Sequence, residues 1–160
     1  MNTRVLRLTN GQFTLVDADM FEFLKTKTWR VHSNGYIATG EYNPETQKAK
    51  IKYLHRLVNQ TPEGMHTDHI DGNKRNNTRA NLRSCTRTQN MMNQRTQTRN
   101  KYSKYKGVSW CKQHRCWVAG VKMNRKRTNL GLFKTEVDAA KAYNLKALEF
   151  FGSFAKLNII

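Results

Sequence analysis

The first sixty residues alternate between the two periods that polypeptide backbones allow. Phe13 and Leu15 are separated by polar neighbours, the two-residue period of a strand. Met20, Phe21 and Leu24 then share one face of a helix that Asp17 or Asp19 is placed to cap. Trp29 and Val31, followed by Tyr36 and Ile37 beyond the turn Asn34-Gly35, predict a hairpin that Ile51 and Tyr53 extend into a sheet. Leu54, Leu57 and Val58 fall at i, i+3 and i+4, a short amphipathic helix ended by Thr61-Pro62. All of this serves as scaffold, and no chemistry is visible in it.

Between Thr67 and Asn90 the pattern predicts a strand, a long polar loop, a return strand from Asn81 and a helix opening at Thr86, with Thr86 and Gln89 as a reciprocal capping pair. Residues 94–104 hold one aromatic and no aliphatic side chain, so they cannot bury a face. Their positive charge suits either a solvated tether or a segment lying along phosphates. Beyond them, Gly107–Cys111 and Cys116–Lys122 flank the turn Lys112–Arg115, and a third strand runs from Thr128 to Phe133. In the middle strand Trp117, Ala119 and Val121 share one face, while Cys116, Val118, Gly120 and Lys122 share the other. Thr135, with Asp138 three residues on, starts a helix whose apolar stripe is Ala140, Tyr143, Ala147, Leu148 and Phe151, and Gly152 stops it. One helix covers one face of such a sheet. The other face, carrying Lys122 with Arg115 and Arg127, is left for solvent or a ligand.

Charge turns that last point into a function class. The chain of 160 residues carries 29 Lys and Arg against 11 Asp and Glu, a formal net charge of +18, and the excess is heaviest in the last third. A basic balance of this size calls for a polyanionic partner, nucleic acid before membrane. At 38% hydrophobic residues there is material for small packed cores, which argues against a wholly disordered basic protein. No apolar run is long enough to span a bilayer, and Met1–Gly11 lacks the apolar centre of a secretory signal. The three cysteines, Cys85, Cys111 and Cys116, form no Cys-x-x-Cys pair and are expected as reduced thiols. A zinc site from Cys111, His114 and Cys116 lacks a fourth ligand at a usual spacing.

Chemistry concentrates in Asp68-His69, Asn81 and Asn90. Phosphodiester hydrolysis needs a base for water and a cation to offset developing charge. His69 can serve as the base, Asp68 as a hard oxygen ligand, and Asn90 as a second, neutral oxygen ligand from the first turn of its helix. Two protein oxygens completed by water and phosphate describe Mg²⁺ or Mn²⁺ better than Zn²⁺. Any one of these residues alone reads as a cap or a surface amide before it reads as chemistry. Strand alternation would send Asp68 and His69 to opposite faces, so the strand must end or bend at His69.

The set Asp68-His69, Asn81 and Asn90, within Asp-His-Ile-Asp-Gly-Asn, Asn-Leu-Arg and Thr-x-x-Gln-Asn, resembles the HNH endonucleases with a ββα-metal motif. The nearest type is the phage and intron-associated homing variant, whose last motif residue is Asn. The resemblance implies catalytic roles for His69, as general base, and for Asn81, which bridges the loop and holds His69 in orientation. It implies Asp68 and Asn90 as ligands of one divalent ion, Mg²⁺ or Mn²⁺. Asn90 replaces a final His, which removes a nitrogen ligand and disfavours zinc. His66, two residues before Asp68, reads as a satisfied or exposed histidine before it reads as a group flanking the site, and His55, in Leu54-His55-Arg56-Leu57, is expected as a supporting group around it.

The last third resembles the Apetala/ethylene-response-factor type of DNA-binding domain, which occurs fused to HNH nucleases. The match runs through Tyr105-Lys106-Gly107-Val108, Trp117–Lys122, Leu130-Gly131-Leu132-Phe133, the helix around Tyr143-Asn144, and Phe151-Gly152 to Asn158. It implies a three-stranded antiparallel sheet laid in the DNA major groove. Lys106 and Lys122 fall at DNA-contacting positions, and Arg115, Arg125 and Arg127 add basic contacts. Ser109, Gly120 and Asn129 depart from the plant domains, so their target sequence does not carry over. Trp117 is expected under the helix; the place of Trp110 stays open.

The expectation is an α+β chain with a β-rich region at 1–62, the nuclease motif at 63–94, a basic linker at 95–104 and the DNA-binding domain at 105–160. It is a monomeric, metal-dependent enzyme that nicks double-stranded DNA, in a phage-infected or bacterial cytoplasm and without a membrane partner. The competing expectation is a DNA-binding regulator whose nuclease motif is inactive.

Overall fold

The computed structural model describes residues 2–94, 102–123 and 126–160. Most of the expected linker at 95–104, and Arg125, therefore lie outside the described residues. The chain is mixed α and β, as expected, and divides into two compact units, Met1–Asn90 and Met91–Ile160.

The first unit opens with an antiparallel hairpin, β1 (Thr3–Arg7) with β2 (Phe13–Asp17), followed by α1 (Ala18–Lys25). A three-stranded sheet follows, β3 (Arg30–Val31), β4 (Ile37–Asn43) and β5 (Lys48–Tyr53), with β4 central, and then the short α2 (Leu54–Val58). Next, β6 (His66–His69) and β7 (Leu82–Cys85) pair antiparallel across the long loop, and α3 (Arg87–Asn93) begins directly after them. Thr86 and Gln89 exchange the expected capping bonds, 2.8 Å from the Thr86 N–H and 3.2 Å from the Gln89 N–H. One apolar cluster holds the unit together, from Leu6, Val16, Leu24 and Trp29 through Ile37, Leu54 and Val58 to Leu82. The β-rich region and the strand pair that follows it thus share a core.

Two expectations fail here, and one strand was not foreseen. The strand period at Phe13 and Leu15 is real, but its phase is inverted: Phe13 (53% exposed) and Leu15 (39%) face outward, while Thr14 (2%) and Val16 (0%) face inward. Thr14 is tolerated inside because its hydroxyl donates to the Arg75 carbonyl at 2.8 Å and accepts from the Asn77 amide at 2.8 Å. Neither aspartate caps α1 through its side chain. Asp17 sits at the N-cap with extended backbone, but its carboxylate accepts instead from the Arg79 N–H at 2.8 Å, tying β2 to the far end of the loop. β1, absent from the sequence pattern, has only Leu6 buried, with Arg4 and Arg7 exposed on either side.

The second unit is an antiparallel sheet of β8 (Val108–Cys111), β9 (Cys116–Met123) and β10 (Lys126–Phe133), with β9 central, covered by α4 (Glu136–Phe151). A bulge interrupts β10 between Asn129 and Gly131. Thr135 caps α4 by accepting from the Asp138 N–H at 3.0 Å. Ala139, Ala140, Tyr143, Ala147 and Phe151 pack onto Val108, Ala119 and Val121. Leu148, expected in this stripe, is 54% exposed, and its place is taken by Ala139, small enough to bring the helix close to the sheet. Gly107 (φ +76) shows how close the approach is, since a Cβ there would lie 2.0 Å from the Tyr143 ring. Among the described residues no helix is long and apolar enough to cross a membrane.

Candidate active site

Asp68 and His69 close β6, each 5% exposed. The strand does end at His69: the Ile70 N–H leaves the ladder for the Asn81 carbonyl (2.9 Å), and the Gly72 N–H folds back onto the His69 carbonyl (2.8 Å). The two side chains have different partners. Asp68 faces Arg83 across the strand pair, and its Oδ2 accepts from Arg83 Nη2 at 2.7 Å and Nε at 2.9 Å. This ion pair is buried, with side chains 6% and 17% exposed, so each charge depends on the other.

His69 meets Asn77, with 3.1 Å between its Nε2 and the amide Oδ1. Around the ring lies an aromatic group: Tyr36 stacks on it at 5.9 Å between centroids and His55 meets it edge-on at 5.4 Å. His55 in turn rests against Tyr36 at 4.7 Å and Tyr53 at 5.5 Å, and the Lys74 ammonium sits 4.2 Å from the centre of the Tyr36 ring. Burial pulls the His69 imidazole below its ordinary value, against the upward pull of the Asn77 hydrogen bond and of Asp71 and Asp68. The ring is then neutral at physiological pH, the form a proton acceptor needs. Burial pulls His55 much further, to about 3, with His69, Arg56 and Lys74 adding repulsion. Its Nδ1 is buried with no hydrogen-bond partner among the described residues.

Asn81 holds the loop. Its Oδ1 accepts from the Asp71 N–H (3.0 Å), and its Nδ2 donates to Asp71 Oδ1 (2.9 Å) and the Asn76 carbonyl (2.8 Å). Burial alone would raise the Asp71 carboxyl, but the Asn73 N–H and the amides of Asn76 and Asn81 bring it below its ordinary value. Asn81 therefore fixes the segment that carries Asn77, and it is the side chain of Asn77 that hydrogen-bonds the imidazole. Asn90 is half-buried on the first turn of α3, its N–H bonded to the Thr86 carbonyl at 3.0 Å. His66 stands at the open end of β6, exposed and opposite Cys85.

Residues expected at a DNA-facing surface lie in the second unit. Lys122 and Arg127 are exposed cross-strand partners on the sheet face away from α4, and the Arg127 guanidinium lies over Gly120, where a Cβ would come within 2.8 Å of its Nε. Arg115 is exposed in the β8–β9 turn with a left-handed backbone (φ 48). Lys106 is placed differently: its ammonium donates to the carbonyls of Met92 (2.5 Å) and Gln94 (2.7 Å). Burial, with Lys156 nearby, lowers it to about 8. Trp110 sits opposite Trp117, the rings edge to face at 5.1 Å, and Trp117 packs against the core under α4.

Sequence reasoning missed Arg83, Asn77 and Thr14. The first was detectable, because antiparallel pairing that sets His69 against Leu82 also sets Asp68 against Arg83. The other two carry no spacing signal, since their contact joins positions 63 residues apart.

Buried Asp68 and His69 close a strand that is followed by a return strand and a capped helix, an order roughly of the ββα kind. Comparison with known proteins gives the family. A family model described as HNH endonuclease matches residues 52–92. An uncharacterized HNH endonuclease of Acanthamoeba polyphaga mimivirus is 33% identical over 150 residues, covering 94% of this chain and 76% of the relative. "Protein 3.8" of Escherichia phage T7 is 38% identical over 68 residues, 42% of this chain and 55% of that protein. The chain belongs to the HNH endonuclease family and is a nuclease.

Proposed function

We propose that this chain is a metal-dependent DNA endonuclease of the homing type that nicks one strand per binding event, with His69 as its general base. The observation that carries the reading is the placement of His69: buried and held at Nε2 by Asn77, next to the buried carboxylate of Asp68.

The donors present fit an oxygen-seeking cation. Asp68 offers a carboxylate and Asn90 a neutral amide oxygen, the hard donors that Mg²⁺ or Mn²⁺ takes. Asp68 Oδ2 carries the Arg83 guanidinium, so a cation at this carboxylate shares it with Arg83 or displaces it. Bound Mg²⁺ or Mn²⁺ supplies positive charge against the negative charge that builds on the phosphate and the leaving oxygen. His69 takes the proton from the attacking water. Asn81 keeps the loop 70–77 closed, and the Tyr36 and His55 rings pack against one side of the base.

The second unit serves as an ethylene-response-factor-type DNA-binding module, with Lys122, Arg127 and Arg115 meeting double-stranded DNA through the open sheet face. Lysine in place of a guanidinium fork weakens base readout relative to phosphate contact. Lys106 supports this unit from inside. The viral relatives support a role in the cytoplasm of an infected cell.

Supercoiled plasmid incubated with the protein in Mg²⁺, in Mn²⁺ and in EDTA tests the reading. Open circles in either metal and none in EDTA are expected. Linear product without open circles would replace nicking by double-strand cleavage. Tight binding with no cutting of any DNA, including that of the source replicon, would favour a DNA-binding regulator.

A further inference from the structure

We propose that Asn77 and Thr14 are positioning residues that fix His69 in the Nε2–H tautomer, so that the N-terminal hairpin sets the proton on the base. The inference rests on the reading of His69 as the base, but the tautomer itself follows from the hydrogen bonds.

The bond between His69 Nε2 and Asn77 has two possible senses: the ring donates to the amide oxygen or accepts from the amide nitrogen. The other end of the amide decides between them. It lies 3.1 Å from the Lys74 carbonyl, which only accepts, and 2.8 Å from the Thr14 hydroxyl. That hydroxyl places its own proton on the Arg75 carbonyl at 2.8 Å, so towards Asn77 it accepts. Both neighbours therefore demand a donor, and the amide nitrogen must face them. Oδ1 then faces the ring, and an amide oxygen accepts only. The proton sits on Nε2, and the lone pair of the neutral imidazole is on Nδ1.

Burial leaves the network no other arrangement. Asn77 is 0% exposed and Thr14 2% exposed, so a flipped amide would set a nitrogen donor against the ring and an oxygen against two groups that cannot both supply a proton. The backbone holds the relay in place: the Leu15 N–H donates to the Arg75 carbonyl at 2.8 Å, and the Asn77 N–H donates to the Leu15 carbonyl at 2.9 Å. This short parallel bridge stitches β2 to the loop between the two site strands. It also explains the inverted phase of β2. Thr14 faces inward because the site needs a hydroxyl there, which sends Phe13 and Leu15 to the outside.

The test uses the full-length protein with ¹⁵N-labelled histidine, the His69 resonances being assigned by their absence in His69→Gln. Long-range ¹H–¹⁵N spectra above the titration of the ring separate the two neutral tautomers. Wild type is expected to show Nε2–H alone. Asn77→Ala is expected to give a mixture of tautomers, with nicking kcat falling by on the order of 10²-fold as the ring loses its orientation along with its fixed proton, the lower end of what a positioned general base contributes. DNA affinity should stay within about twofold, and a KM that rises with kcat unchanged would contradict the role. Thr14→Val is expected to shift the tautomer ratio in the same direction by less, and Thr14→Ser to restore wild-type spectra and kcat. This pair keeps the proposal testable if Asn77→Ala does not fold. Wild type with the proton on Nδ1, or an Asn77→Ala protein that folds and keeps pure Nε2–H, overturns the proposal. If the tautomer responds as stated but no protein cuts DNA, the assignment stands and the endonuclease reading fails.

Discussion

The two units treat their polar side chains in opposite ways. In Met1–Asn90 the polar groups that matter are inside: Thr14, Asp17, Asp68, His69, Asn77 and Asn81 are each less than 8% exposed, and each is tied to named partners. In Met91–Ile160 the helix and one sheet face make a small apolar core, and Lys122, Arg127 and Arg115 stand on exposed backbone. A reacting group must be held within a fraction of an ångström, and burial with complete hydrogen bonding does that. A surface that meets a polyanion needs charge in the right place, and several exposed cations share that task. Substitutions should therefore act all-or-none in the first unit and by increments in the second.

Breaking the buried ion pair gives the largest expected effect. Arg83→Ala leaves the Asp68 carboxylate buried without its cation and should cost about 3–5 kcal/mol of unfolding free energy in EDTA. Under the proposed metal role, Mg²⁺ or Mn²⁺ should recover part of that loss and raise the midpoint of the variant more than that of wild type. A loss under about 1 kcal/mol in chemical denaturation would place this pair among the surface salt bridges.

On the open sheet the double substitution Lys122→Gln, Arg127→Gln should weaken DNA binding and lower the slope of log affinity against log salt by about one for each phosphate contact removed. Each single substitution should give part of that change, with the circular dichroism spectrum unaltered. An unchanged slope in a binding titration would move the DNA contacts elsewhere.

The pH dependence of stability sharpens the contrast from another side. Burial holds His55 near 3, whereas in the unfolded chain it takes up a proton near 6.5. Between those values the unfolded state binds the extra proton, so the stabilisation is complete above pH 6.5 and is lost as pH falls towards 3. Denaturation midpoints at pH 7.5, 6 and 5 should decline in wild type and decline less in His55→Gln. The smallest effect is expected from Thr135→Ala, which removes the cap of α4 and should cost about 1 kcal/mol of second-unit stability.

What was legible in the sequence follows the same division. In the second unit the strands, the turn Lys112–Arg115, the Thr135 cap and the Gly152 stop all came from local patterns, because sheet and helix there are joined by short turns and one apolar interface. Leu148 was misplaced because helical period alone does not say that Ala139 packs closer. In the first unit the capping pair and the end of β6 were legible, since both are local. Thr14, Asn77 and Arg83 were not singled out, because their significance lies in contacts across 63 residues and across a strand pair. β1 was hidden for a related reason. Its Arg4 lies over the Phe21 ring at 3.7 Å, so a charged residue does the packing that an apolar one usually signals.

The central claim is that cutting belongs to the buried site and DNA binding to the exposed sheet. It is tested most directly by measuring both in one protein, His69→Ala, against wild type at equal concentration on supercoiled DNA. The account predicts DNA affinity and salt slope equal to those of wild type, with no metal-dependent open circles. Nicking that persists in the folded variant, or its disappearance together with DNA binding, would contradict it.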